Sequence, residues 1–169
     1  MFSAEVYADR RERLRAGMSS GLILLPGNKE ASMNYPANTY HFRQDSNFLY
    51  YFGLDHPDLA AIIDIDDGKD IIFGNDVTMD DIIWMGPQPT MKERAARVGV
   101  DHTRPFDDVK DYLAKALRQG RKIHMLPQYR GMIILQLEGL LGIRHEELSS
   151  YVSEELIKAV VNMRSIKDN

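Results

Sequence analysis

The stretch Ala60-Ala61-Ile62-Ile63-Asp64-Ile65-Asp66-Asp67-Gly68-Lys69-Asp70-Ile71-Ile72-Phe73 holds two short apolar runs around a polar tetrapeptide. Asp-Gly between two such runs is a strong tight-turn signal, because glycine supplies the positive φ that a hairpin turn needs. The reading is therefore a strand over 60–65, a turn at Asp66-Asp67-Gly68-Lys69, and a strand from Asp70 to Phe73 closed by Gly74-Asn75-Asp76. An antiparallel hairpin is thus part of whatever sheet this chain builds.

Upstream of the hairpin, Phe48-Leu49-Tyr50-Tyr51-Phe52 is the most aromatic stretch and ends at Gly53. Aromatic residues favour strands, so a strand is predicted here. Residues 28–41 have no apolar periodicity and are rich in Asn, Ser and Tyr, which predicts a long loop. Gly21-Leu22-Ile23-Leu24-Leu25-Pro26-Gly27 reads as a buried strand. Residues 4–16 read as a helix, with Ser3 as its cap, Glu5 in its first turn and Gly17 at its end. Its arginines, Arg10, Arg11, Arg13 and Arg15, are expected to form a solvated basic face.

Downstream, 78–84 reads as a short helical turn and 90–98 as a helix. Val109, Tyr112, Leu113, Ala116 and Leu117 recur at helical spacing within 107–118, behind Asp107 and Asp108 and ahead of Gly120. Lys122 to Leu126 reads as a strand closed by Pro127, 130–141 as an apolar helix on the sheet, and 153–165 as a helix capped by Ser153. The alternation predicts an α/β domain with a mixed sheet flanked by helices.

With 169 residues, 44% hydrophobic and 27% charged, the chain suits one soluble globular domain. A net charge of -4 argues against a nucleic-acid partner. The absence of cysteine excludes a disulfide scaffold, a thiolate nucleophile and a cysteine zinc site, and it fits the cytoplasm. The charged stretch from Met1 to Arg15 has no secretory h-region. Met132 to Leu141, broken by Gln136 and Glu138, is far shorter than the roughly 20 residues a bilayer needs, so no membrane partner is expected.

Catalytic motifs are missing. The five histidines (His41, His56, His102, His124, His145) form no H-E-x-x-H, and His145-Glu146-Glu147 does not put two ligands on one helix face. Asp64 to Asp70 resembles a calcium loop, but its glycine comes one position early and Asn75 stands where a bidentate glutamate is required. No phosphate loop and no nucleophile elbow occur. Two clusters remain. Tyr40-His41-Phe42-Arg43-Gln44-Asp45-Ser46-Asn47-Phe48 joins the long loop to the aromatic stretch. Its structural alternative is a loop folded onto the core, with Arg43 paired to an acid such as Asp45 and with Phe48 and Tyr50 buried. Ile82-Ile83-Trp84-Met85-Gly86-Pro87 holds the only tryptophan, beside a Gly-Pro turn that predicts an exposed indole.

These clusters resemble the N-terminal domain of aminopeptidase P, of the creatinase and prolidase superfamily. The signature-like segments are YHFRQDSNFLYYFG at 40–53, His56-Pro57-Asp58, IIWMG at 82–86, Gly99-Val100-Asp101, and Met163-Arg164-Ser165-Ile166-Lys167. The resemblance implies a creatinase/prolidase N-terminal fold with a ribonuclease H-like motif over 1–162, and a linker beginning at 163–169. It implies a parent Xaa-Pro aminopeptidase that removes the residue preceding proline from a peptide. Chemistry would sit in a separate "pita-bread" catalytic domain holding two divalent metals, usually manganese, on Asp, His and Glu ligands. This chain is then expected to hold no catalytic residue, no metal ligand and no cofactor. The resemblance further implies a homodimer or homotetramer, and a domain that reaches a neighbouring subunit's substrate site. Trp84, Asn38, Tyr40 and Arg43 are the candidates for such contacts, Asn38 standing where relatives carry an acid nearby. The alternatives are a Xaa-Pro dipeptidase, a creatinase-like relative, or a stand-alone interaction domain.

Overall fold

The computed structural model describes residues 2–165. The strands are β1 (Leu22–Pro26), β2 (Ala60–Asp64), β3 (Lys69–Phe73), β4 (His102–Arg104) and β5 (Ile123–His124). The α-helices are α1 (Ala4–Ala16), α2 (Ser46–Phe52), α3 (Met79–Met85), α4 (Met91–Ala96), α5 (Asp108–Arg118), α6 (Gly131–Leu141) and α7 (Glu154–Ser165). A 3₁₀ segment, His145–Tyr151, precedes α7.

The hairpin forms as the Asp-Gly turn requires. β2 and β3 pair antiparallel from Ala60 opposite Phe73 to Asp64 opposite Lys69, and the Asp67 amide donates to Asp64 Oδ1 at 2.9 Å across the turn. The aspartates that resemble a calcium loop are thus turn and ion-pair residues. β1 pairs antiparallel with β2 and parallel with β5, and β4 adds to β3 in parallel. The strand order is β4-β3-β2-β1-β5, the mixed sheet that the sequence predicts. β4 carries no apolar alternation and is visible only in the structure.

Because successive strand residues point to opposite faces, the sheet has two cores. Ile23, Leu25, Ala61, Ile63 and Ile72 pack with Leu14, Phe48, Phe52, Ala95 and Leu156 on one side. Leu22, Leu24, Ile62, Ile71 and Phe73 pack with Val109, Leu113, Ile133 and Leu137 on the other. α1, α2, α4 and α7 cover the first face and α5 and α6 the second, which makes three layers.

Three expectations are corrected. Phe48 to Phe52 is the helix α2 and not a strand. Asp45 caps it, its Oδ1 accepting from the amides of Asn47 at 2.8 Å and Phe48 at 3.0 Å, and Gly53 ends it in the left-handed conformation. The cap outweighs the aromatic strand preference, which is weak and context-dependent. Secondly, the arginines of α1 are not one solvated face. Arg11 is 0% exposed, and it donates to Asp70 Oδ2 at 2.8 Å and to the carbonyls of Tyr51 at 2.9 Å, Val98 at 3.0 Å and Gly99 at 2.8 Å. Arg10 is buried as well, its guanidinium 4.1 Å from the centre of the Tyr50 ring. Thirdly, Ser3 occupies the cap position of α1 but its side chain bonds no helix amide. Ser153 does cap α7, accepting from the Leu156 amide at 3.2 Å. α7 runs without a break past residue 162 to Ser165; the rest of the expected linker, 166–169, lies outside the described residues.

Candidate functional site

Gln44 organises the segment that joins β1 to α2. Its side chain is fully buried. Oε1 accepts from the amides of Asn28 at 2.5 Å and Asp45 at 2.8 Å, while Nε2 donates to the His56 carbonyl at 2.7 Å. The Gln44 amide donates to Asp55 Oδ1 at 3.0 Å, and Asn28 Nδ2 donates to the Arg43 carbonyl at 2.8 Å. One side-chain amide thus ties the end of β1, the start of α2 and the segment before β2 together. Its role was missed in the sequence, although the Arg-Gln-Asp run signalled something other than a plain loop.

This anchor leaves 31–40 as a projecting excursion. Ser32 and Thr39 bridge its base, Tyr40 donates its amide to the Ala31 carbonyl at 2.9 Å, and Met33 donates to Asn38 at 2.8 Å. Asn38 is half-buried and its Nδ2 donates to Asn34 Oδ1 at 2.8 Å. Tyr40 and Arg43 are exposed. Arg43 does not pair with Asp45: its guanidinium donates to Ser46 Oγ at 3.3 Å, because Asp45 is spent on the cap of α2. Phe48 is buried and Tyr50 half-buried.

Trp84 stands on α3 with 88% of its surface exposed, next to exposed Ile83. No hydrogen bond, ring contact or cation–π contact joins it to Asn38, Tyr40 or Arg43 among the described residues. The four candidates therefore form one loop group and one separate aromatic projection. They offer an amide, a phenol, a guanidinium and an indole, which is binding chemistry.

Two polar groupings elsewhere have structural explanations. Asp64, on β2, accepts from Tyr112 Oη at 2.7 Å and pairs with Arg121, which also reaches Asp66 at 2.7 Å. Burial alone would raise the Asp64 carboxyl. The Arg121 guanidinium, the Asp67 amide and the Tyr112 hydroxyl outweigh it and hold the group below its ordinary value. The Asp64 and Asp66 carboxylates raise the Arg121 value, while burial first, and then the bond to Asp64, raises that of Tyr112. His124 and Ser153 make a serine–histidine pair, Nδ1 to Oγ at 2.8 Å, but Nε2 faces the Ser20 carbonyl at 2.9 Å and Oγ is the α7 cap. The pair holds a helix end. Among the described residues no three His, Asp or Glu side chains gather to hold a metal ion, and no helix is long and apolar enough to cross a membrane.

A three-layer α/β domain with this strand order and a buried Gln44 anchor defines a class. Solved structures share the fold: Pseudomonas aeruginosa aminopeptidase PepP superposes with a TM-score of 0.70 at 20% identity, covering 90% of this chain and 35% of that one. Proline aminopeptidase P II from Yersinia pestis gives 0.69 at 21% identity over 83% and 33%. The family model "Aminopeptidase P, N-terminal domain" matches residues 7–125, well over half of the chain, and the chain belongs to that family. Curated relatives include probable Xaa-Pro aminopeptidases of Penicillium rubens, 30% identical over 66% of this chain, and Aspergillus niger, 31% over 63%. The chain spans 23% and 22% of the lengths of those two relatives.

Proposed function

We propose that this chain is the non-catalytic N-terminal domain of a manganese-dependent Xaa-Pro aminopeptidase of the cytoplasm. The observation that carries the reading is the family match over residues 7–125 together with relatives named Xaa-Pro aminopeptidases and about three times as long. The parent removes the first residue of a peptide whose second residue is proline. Two divalent metals held in the parent's separate catalytic domain would supply water activation and polarisation of the scissile carbonyl. The described residues of this chain contain no donor set that fits those metals, so no step of hydrolysis is assigned to them.

The domain's own part is assembly and enclosure. A bare indole such as Trp84 is a strong interface anchor once covered, since aromatic anchors dominate binding energy. On this reading Trp84 packs against another subunit of a homodimer or homotetramer. The excursion at 31–40 then brings Asn38 and Tyr40, with Arg43 just after it, to the wall of a peptide pocket. Gln44 is a positioning residue for that excursion. The test is peptidase activity of the full-length parent with manganese, on X-Pro-Y and X-Ala-Y peptides, beside this chain alone. Release of X from the proline peptide by the parent only is the expected result. Cleavage of neither peptide by the parent overturns it.

A further inference from the structure

A second site lies away from Trp84 and the 31–40 excursion, and it does not depend on the peptidase reading. A cleft of about 560 Å³ opens between the N-terminus of α1, the end of α2 and α4. That volume is in the range of small-molecule sites, roughly 300–1,000 Å³. Its apolar wall is Phe2, Tyr7, Leu49 and Leu54, and its polar side carries Asp55, His56, Arg94 and Arg97.

The two arginines are the informative part. Arg94 is half-buried and Arg97 exposed, one turn apart at the end of α4. Arg94 spends only Nε, on the Pro89 carbonyl at 3.0 Å. Among the described residues neither makes an ion pair, and the Arg97 guanidinium makes no hydrogen bond. The nearby acids are already committed. Asp55 accepts from the Gln44 amide at 3.0 Å, Asp76 from the Met91 amide at 2.5 Å, and Glu93 closes the capping box with Thr90. Burial and the Arg97 charge together push the Arg94 value down, against a smaller opposing pull from Asp76. Two arginines and one carboxylate, Asp55, therefore share the polar side of the cleft, and the guanidiniums keep planar donors unspent, an arrangement that a ligand carboxylate satisfies and water satisfies less specifically.

We propose that this cleft binds a small carboxylate carrying an apolar group, the carboxylate on Arg94 and Arg97 and the apolar part against Tyr7, Leu49 and Leu54. The test is an NMR titration of the 169-residue chain with 3-phenylpropionate, its neutral amide, and inorganic phosphate. The expected result is saturable shifts of the Leu49, Leu54 and Arg97 amides with the carboxylate. Binding of the amide and of phosphate should each be weaker by about tenfold, since either the charge-assisted bonds or the apolar burial is lost. Arg97→Gln, at an exposed position that leaves folding intact, should weaken carboxylate binding by a similar factor, and Arg94→Gln more. Equal binding of acid and amide, shifts scattered over the surface, or an Arg97→Gln chain that binds as before would each overturn the proposal.

Discussion

At the scale of single residues, burial of charge is the main cost and the main source of specificity. Arg11 sits on the inner side of α1 with four acceptors around it, from segments 40 to 88 residues away. Nothing local distinguishes it from Arg13, which stays exposed and pairs only with Asp9 along its own helix. That is why the sequence suggested a uniform basic face. Replacing Arg11 by Ala would leave three carbonyls without their donor and Asp70 with Arg15 as its remaining partner, and the expected loss is about 3 kcal/mol in urea unfolding, from buried acceptors left unsatisfied. Arg13→Ala should cost under about 1 kcal/mol. Asp64 gives a pH prediction. Its folded value lies below 3.8, so its ion-paired form stabilises the fold at neutral pH, and that contribution is lost as the pH falls through 3.8 and below. In matched unfolding curves, Asp64→Asn should be less stable at pH 7 and should lose less stability than the wild type between pH 4 and 2.

At the scale of elements, strands and amphipathic helices were legible wherever turn chemistry and periodicity agreed. The hairpin at 60–73 is the clearest case, and α5 the next. α2 was not legible, because five apolar residues in a row carry no period and the deciding signals are its two ends. Asp45 supplies the first cap. Gly53 supplies the second, at φ 61°, and it also lets the Tyr7 ring pack directly on the backbone where a Cβ would collide with it. Asp45→Ala should lower stability by about 1 kcal/mol. Gly53→Ala should lower it by more, because strain at a left-handed position adds to the clash. A larger loss for Asp45→Ala than for Gly53→Ala, in thermal unfolding, would contradict this account of α2. The same element holds the Gln44 anchor in register, so the candidate loop inherits its position from a cap that composition does not reveal.

At the scale of the whole molecule, the α/β class, the mixed sheet and the family could all be read from ordered short motifs. The separation of the candidate residues into an excursion at 31–40 and an independent projection at Trp84 could not, since it depends on where α3 leaves the sheet. With 88% of its surface exposed, Trp84 predicts solvent-type fluorescence and easy acrylamide quenching in this chain. In an assembled parent the same indole should shift to shorter wavelength and resist quenching. The most direct measurement is hydrolysis of an X-Pro-Y peptide by the full-length parent, in wild-type and Trp84→Ala forms, with an X-Ala-Y control. The account predicts proline-restricted release of X by the wild type, and a fall in kcat/KM of about tenfold or more for the variant, the loss of one interface anchor. Cleavage that ignores proline, or a Trp84→Ala parent as active as the wild type, would contradict it.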